Sequence, residues 1–279
     1  MPFSALPLVS IVIPVFNKWV YTAACLRSIS DARCSSRFEV IVVDDESSDE
    51  TVDKLKDIIG LKILRNDSNV GFIDSCNRGA AQARGKYLVL LNNDTQVTDD
   101  WLDRLLDTFR QFPDAGLVGS RLVYPDGKLQ ECGGIIFSDG SGWNYGRGEN
   151  PELPEFKYVR EADYCSGACI MIETSLFNGW GGFDERYRPA YYEDTDLAFR
   201  VRASGRKVLV QPASTVIHHE GISSGTDTGS GIKRFQQVNQ GKFLERWKDE
   251  LKNYPPRIED PTNPANIRAA KDHHLRGRV

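Results

Sequence analysis

Several common function classes are excluded by what the sequence lacks. No stretch approaches the ~20 apolar residues that a membrane-spanning helix needs. The N-terminus has neither the basic start nor the long apolar region of a secretory signal. No G-x-G-x-x-G follows the first apolar run, which ends instead as IPVFNKW, so the dinucleotide fingerprint is missing. A G-x-x-x-x-G-K-[ST] phosphate loop is missing too. The six cysteines stand at 25, 34, 76, 132, 165 and 169 and form no C-x-x-C pair, which argues against a zinc or thioredoxin-type motif. A chain of 279 residues can bury a large core without a disulfide framework, so these thiols read as reduced and the compartment as cytoplasmic. Charge of one sign is not in excess. With 35 basic against 39 acidic residues, the chain has no dominant basic field for nucleic acid. Nor is it disordered by composition: 40% of residues are hydrophobic and 27% charged.

What is present is a strand–helix alternation. LVSIVIPVF (8–16) is a continuous apolar run suited to a strand buried on both faces. A helix is expected over 18–30, with Val20, Ala23, Leu26 and Ile29 at helical spacing. FEVIVV (38–43), 61–64 and YLVLL (87–91) read as further strands, with helices starting near Ser48 and over 72–84. This order implies a right-handed parallel sheet covered by helices. An amphipathic helix follows over 98–112. From 117 to 159 the pattern weakens, and glycines at 133–134 and 140–148 suggest hairpins and a loop. Residues 164–172 read as a strand around a glycine, 193–203 as a helix, 207–210 as a last strand and 235–251 as a final helix. After Tyr254 the chain is polar and proline-rich, with little independent structure expected.

Four polar clusters carry the chemistry. Asp44 and Asp45 close the second strand, and ligands of such sheets sit beyond the carboxyl ends of strands. Asn92, Asn93 and Asp94 close the fourth, where a single carboxylate can help to hold a hard divalent cation. Asn17 and Lys18 close the first, so all three clusters should meet at one edge. Glu193, Asp194 and Asp196 open a helix whose dipole should hold them ionised, as a general base requires. His218 and His219 precede a Ser/Gly-rich stretch, 221–231, which reads as a candidate lid over a diphosphate. Each cluster also has a bland reading, as a cap, an Asx turn or a linker.

Taken in order, these stretches resemble the family-two glycosyltransferases with the GT-A fold. VSIVIPVFN is similar to that family's first strand, VIVVDDESSDET to its D-D-x-S-x-D element, and NVGFIDSCNRGAAQARGKYLVLLNNDT to its N-x-G-F … N-N-D-T stretch. SGACIMI, GGFDERY, YYEDTDLAFRVRASG and HHEGISSG resemble its later elements, so the likeness covers roughly residues 8 to 245. The fold implied is α/β, a Rossmann-like, mostly parallel central sheet flanked by helices, with a smaller acceptor-side mixed sheet and a C-terminal helix. Residues 1–254 would form the domain, 8–97 its nucleotide-binding half and 98–254 its acceptor half, with 255–279 an extension or linker.

The resemblance also implies roles. Pro14, Val15, Asn17, Asp44 and Asp45 would line the nucleotide pocket, with Asn69, Gly71, Asn77, Asn92 and Asn93 near base, ribose or diphosphate. Asp94 would ligate Mn2+ or Mg2+, with His218 as second ligand and His219 the alternative. N-N-D stands where other members carry D-x-D, one carboxylate fewer. Asp194 would be the general base, with Glu193 the alternative. Trp143, Trp180, Tyr191 and Tyr192 would stack on acceptor sugars. The implied reaction is transfer from a nucleoside-diphosphate sugar to a hydroxyl of a glycan or lipid-linked glycan, with inversion, as in bacterial polysaccharide assembly. The competing readings are a nucleotide-sugar or glycan-binding module without turnover and a nucleotidyltransferase. The latter would want a glycine-rich basic loop where this chain has IPVFNK. Residues 233–279 hold eleven basic and six acidic residues, a basic end suited to peripheral contact with an anionic membrane. The final IRAAKDHHLRGRV has no clear stop signal, which suggests a module within a longer chain with further catalytic domains.

Overall fold

The computed structural model describes residues 6–221 and 234–257. Its first half alternates as expected: β1 (Val9–Val15), α1 (Trp19–Asp31), β2 (Phe38–Asp44), α2 (Thr51–Lys56), β3 (Leu61–Arg65), α3 (Phe72–Ala80) and β4 (Tyr87–Leu91). The second half runs β5 (Thr95–Val97), α4 (Trp101–Gln111), β6 (Ala115–Val123), β7 (Leu129–Glu131), β8 (Gly134–Ile136), β9 (Gly142–Asn144), β10 (Arg160–Glu161), β11 (Cys169–Glu173), α5 (Thr174–Gly179), α6 (Glu193–Ala203), β12 (Lys207–His218) and α7 (Phe235–Leu251).

The main sheet has the order β10-β12-β6-β11-β4-β1-β2-β3, with β5 on β12 and β7 on β6. The β4-β1-β2-β3 pairings and the β6–β12 pairing are parallel, while β11 runs antiparallel to both β4 and β6. A small second sheet is the antiparallel hairpin of β8 and β9.

Strand alternation distributes the core. Ile11, Ile13, Val40, Val42 and Val89 pack one face with Leu26 and Ile29 of α1 and Leu102 and Leu105 of α4. Val12, Ile41, Val43, Leu88 and Leu90 pack the other, with Ile73 of α3, Phe199 of α6 and Phe243 of α7. Ile11, Val12 and Ile13 have no exposed surface, and each such side chain contributes about 1.5–3 kcal/mol of burial.

Three elements differ from the sequence expectation. The weak stretch from 117 contains β6, a central strand. Its glycines disguise it because neighbours approach them closely: a Cβ on Gly119 would lie 2.3 Å from Cys165 Cβ, and one on Gly116 2.6 Å from Val201 Cγ1. The last strand continues past Val210 to His218, with a register shift between Gln211 and Thr215 that takes in Pro212. Residues 164–168 form no continuous strand: Tyr164 makes an isolated antiparallel bridge to Gly134, and a turn at 167–168 leads into β11. The lid expected over 221–231 and the tail beyond 257 lie outside the described residues. All six cysteines are free, five of them buried. No described helix is long and apolar enough to cross a membrane.

Candidate active site

The ends of β1, β2 and β4 open onto one cavity of about 490 Å3. Pro14, Val15 and Phe16 reach it from β1, Asp45 from beyond β2, Asn69 and Gly71 from the turn before α3, and Asn92, Asn93 and Asp94 from beyond β4. The second half adds Ser166, Gly167 and Ala168 ahead of β11, Pro189, Ala190 and Tyr191, then Glu193 and Asp194 on the first turn of α6. His218 and Glu220 come from the end of β12.

Asp45 organises the turn below it. Its Oδ1 accepts from Asn66 Nδ2 at 2.6 Å and from Val70 N at 2.9 Å, and its Oδ2 accepts from Gly71 N at 2.8 Å. Asp44 faces elsewhere: it is buried, ion-paired with Arg65, and accepts from Ser47 N at 2.9 Å. Asn17 also lies off the cavity. Its Oδ1 accepts from Ser48 N at 2.8 Å and Asp49 N at 3.2 Å, which ties the β1 turn to the β2 turn. Asn77 is an internal clip: Nδ2 donates to Phe183 O at 2.9 Å and Oδ1 accepts from Phe183 N at 2.8 Å. These three fill hydrogen bonds within the protein, and none lines the cavity.

Asn93 lines it while donating through Nδ2 to Thr22 Oγ1 at 2.9 Å. Asn92 Oδ1 and Asp94 Oδ1 are buried without a hydrogen-bond partner among the described residues. Orphaned buried oxygens are expensive unless a ligand satisfies them. The length of β12 explains what faces Asp94. His218 pairs with Thr95 in the antiparallel register, which brings its Nε2 to 3.3 Å from Asp94 Oδ1. His219, next along, turns edge-on to Tyr21 with ring centroids 5.4 Å apart, and does not line the cavity.

The helix α6 starts under constraint. Tyr191 and Tyr192 both have positive φ, 76° and 72°, a strained region for such side chains. Asn239 on α7 holds the segment in place: its Nδ2 donates to the carbonyls of Tyr187 at 2.6 Å, Ala190 at 2.8 Å and Tyr191 at 3.0 Å. Asp194 then receives Gly167 N on Oδ2 at 2.9 Å and Thr195 N on Oδ1 at 2.7 Å. Glu193 is buried, and its Oε2 has no hydrogen-bond partner among the described residues.

The helix dipole does not govern these carboxyls as the sequence suggested. Burial pushes Glu193 well above the usual carboxylate range, and the Asp194 charge adds to it. Burial raises Asp194 as well, partly offset by its bonds from Gly167 and Thr195. A third carboxyl, Glu131, sits behind the pocket, accepts from Ser166 N at 2.8 Å, and is pushed up to about 8 by burial.

Of the four aromatics, only Tyr191 lines the cavity. Tyr192 turns inward, donating to Gly140 O at 3.0 Å and packing on Phe243 at 5.3 Å. Trp143 and Trp180 pack half-buried against the core, the latter 5.9 Å from the Arg200 guanidinium. Phe16, Phe72, Ser75, Ser166–Ala168 and Pro189 are lining residues that the sequence reading missed. Phe16 and Phe72 stood within quoted stretches, but no periodicity marked them as pocket residues.

Asp94 and His218 suit a divalent ion by chemistry. A carboxylate oxygen and an imidazole nitrogen stand 3.3 Å apart on the cavity wall, a mixed set that favours manganese over magnesium. No group of three His, Cys, Asp or Glu side chains that could hold a metal occurs among the described residues. A bound anion or water could supply further ligands to such an ion.

Residues 10–178 match the family described as glycosyl transferase family 2. The O-antigen biosynthesis protein RfbC of Myxococcus xanthus is 30% identical over 235 residues, covering 81% of this chain and 18% of that protein. The N-acetylglucosaminyl-diphospho-decaprenol L-rhamnosyltransferase of Mycobacterium tuberculosis is 28% identical over 220 residues, covering 69% of this chain and 70% of that protein. The chain thus spans only a fraction of some relatives, 28% and 18% of the length of two of them. In fold it is similar to GalNAc-T7 crystallised with UDP, GalNAc and Mn2+, with a TM-score of 0.71 at 18% identity, over 98% of this chain and 55% of the other.

Proposed function

Because the chain belongs to glycosyl transferase family 2 and has the GT-A fold, we propose that it moves a sugar from a nucleoside-diphosphate sugar to a hydroxyl of a glycan or lipid-linked glycan, with inversion. The observation that carries this reading is one cavity lined both by the Asp94–His218 pair and by the buried carboxyls of Glu193 and Asp194. The first suits a diphosphate–metal group, and the second a hydroxyl that must lose a proton. We assign residues 8–97 to donor binding and 98–254 mainly to the acceptor, with His218 returning to the donor side.

The reaction is a single displacement. The acceptor oxygen attacks the anomeric carbon as the bond to the diphosphate oxygen breaks, and the acceptor proton passes to Asp194. Asp194 is fit for this because two backbone N–H groups fix its orientation and burial strengthens it as a base. Burial and the Asp194 charge raise the proton affinity of Glu193 beside it, and a neighbouring pair whose proton affinities are driven apart separates the roles of base and neutral donor. Asp45 holds the Val70 and Gly71 amides and so shapes the turn over which the nucleotide would lie. A divalent ion held by Asp94 and His218 would neutralise charge on the departing diphosphate.

The mycobacterial relative is named for a lipid-linked acceptor, which supports a lipid-diphospho-glycan here and work close to a membrane. Kinship with an O-antigen biosynthesis protein supports surface polysaccharide assembly, as one unit of a longer enzyme. The test is nucleoside-diphosphate release from UDP-, dTDP- and GDP-sugars with Mn2+, Mg2+ or EDTA, beside Asp94→Ala and Asp194→Ala. Metal-dependent release lost in both variants, with a product of inverted anomeric configuration, is expected. Nucleotide binding without transfer to any glycan acceptor would leave a binding module; retained configuration would rule out the single displacement.

A further inference from the structure

Gln130 belongs to no motif of the sequence reading, yet it is only 2% exposed and touches His218 directly. Its position in the sheet is unusual. Along the antiparallel β6–β7 pair, Leu122 faces Glu131 and Val123 faces Leu129, so Gln130 has no opposite residue. It is the extra residue of a β-bulge, and bulges beside functional sites re-aim a side chain. Here the amide is aimed at both His218 and Glu220.

Donor and acceptor chemistry then fixes every orientation. Glu220 Oε2 receives Arg147 Nη2 at 2.6 Å, Tyr124 Oη at 2.9 Å and Gln130 Nε2 at 3.2 Å. An ionised carboxylate only accepts, so the NH2 end of Gln130 must face Glu220. That leaves Gln130 Oε1 facing His218 Nδ1, at 3.0 Å. A carbonyl oxygen only accepts, so Nδ1 must carry the hydrogen. In a neutral ring the lone pair is then on Nε2, the atom 3.3 Å from Asp94 Oδ1. The opposite tautomer would set an N–H where a metal has to bind, and a lone pair against the Gln130 carbonyl.

We infer that Gln130 is the positioning residue that locks the His218 ring with its Nε2 lone pair toward Asp94, and that Glu220, itself held by Arg147 and Tyr124, locks Gln130. The inference rests on the metal-pair reading for its consequence, but the tautomer can be read without metal. Partners that orient a ligating histidine are worth about 10–100-fold in metal affinity.

The experiment uses the full chain labelled with 15N-histidine, with the His218 signals assigned by their loss in His218→Gln. The expected wild-type reading is a protonated Nδ1; Nε2, which faces the Asp94 carboxylate as well, is bare in the neutral ring. Gln130→Met, close in volume, should shift the ring toward the Nε2–H form and weaken Mn2+ binding, read by EPR with UDP present, by about 10–100-fold. Gln130→Glu keeps an acceptor for Nδ1–H but sets a carboxylate against Glu220 where the NH2 had donated; combined with Glu220→Gln, which restores a donor there, it should keep Nδ1 protonated, and the pair also serves if the methionine variant folds poorly. A wild-type Nε2–H pattern, or an unchanged pattern and Mn2+ affinity in a folded Gln130→Met, overturns the inference. If His218→Gln binds Mn2+ as tightly as the wild type, the metal pair of the proposed function fails instead, and the tautomer measurement still decides the role of Gln130.

Discussion

Replacing Asp194 by Asn separates the base from its neighbour. The wild-type carboxylate accepts a backbone N–H on each oxygen, from Gly167 at 2.9 Å and Thr195 at 2.7 Å. An asparagine offers one carbonyl, so its NH2 must confront one of those two amides. One buried N–H then loses its acceptor, at a cost of about 1–3 kcal/mol in stability. The chemical loss is larger. General base catalysis contributes about 10²–10⁴-fold, or about 2.7–5.4 kcal/mol in the barrier at 1.36 kcal/mol per tenfold. Transfer rate should fall by that factor, while nucleoside-diphosphate affinity, measured by titration at the same temperature, stays near wild type. Glu193→Gln should behave oppositely. Burial and the Asp194 charge favour the neutral form of Glu193, which a glutamine mimics, so the loss should stay under about tenfold, well below the general-base range. The pH profile supplies a second reading. The base works deprotonated, and burial raises its proton affinity, so the acid limb of kcat/KM should lie above the ordinary carboxylate range and vanish in Asp194→Asn. If Asp194→Asn kept its rate within tenfold while folded Glu193→Gln lost a hundredfold or more, the base would be Glu193 and the assignment would be refuted.

Other expectations follow from the same contacts. Glu131 has an ordinary value of 4.5 and is pushed up to about 8, so the folded state keeps a proton that the unfolded chain releases over that window. The Glu131 contribution to stability therefore falls as pH rises from 4.5 to about 8, and Glu131→Gln, which has no proton to lose, should gain on the wild type over that range. Melts at pH 5 and pH 8 showing the same difference would contradict this. Asn77→Ala should cost about 1–3 kcal/mol of stability through its lost bonds to Phe183, with unchanged nucleotide affinity; weaker nucleotide binding at equal stability would return Asn77 to the donor site. Gly182 has φ +79°, and a Cβ there would stand 2.2 Å from Asn77 Oδ1. Gly182→Ala should destabilise by about 1–3 kcal/mol, and less in the Asn77→Ala background, where the clashing oxygen is gone. Additive denaturation midpoints would show that the clash is not the cause.

The parts of this architecture that announce themselves in the sequence are those dominated by continuous burial. β1, β2 and β4 are uninterrupted apolar runs, and the strand-end rule then brings Asp45 and Asp94 to one cavity. The bounds of α6 and α7 were also legible, since their periodicity, and Gly205 just beyond α6, are local signals. β6 was not, because close packing against Cys165 and Val201 needs glycine where the pattern wants a large apolar side chain. The continuation of β12 was hidden behind Pro212, whose place in a strand depends on a register shift that only the partner strand reveals. Asn17, Asp44 and Asn77 show the limit of motif reasoning: each satisfies its polar atoms inside the protein, and the spacing of a motif does not say which way a side chain faces. Gln130 and Glu131 came from the β6–β7 pairing and left no local signal, and Ser166, though inside the SGACIMI stretch, had no periodicity to mark it as a pocket residue.

The bond set of Asn239 makes the last helix a mechanical part of the pocket. A single amide nitrogen grips three carbonyls of the chain leading into α6, and Tyr192 at the end of that chain leans on Phe243 from the same helix. α7 lies outside the residues that match the family, 10–178, yet the footing of Asp194 hangs from it. Cutting it away would leave those carbonyls without their donor and two left-handed tyrosines without their brace. Anything that displaced α7 would therefore loosen the turn that carries Asp194.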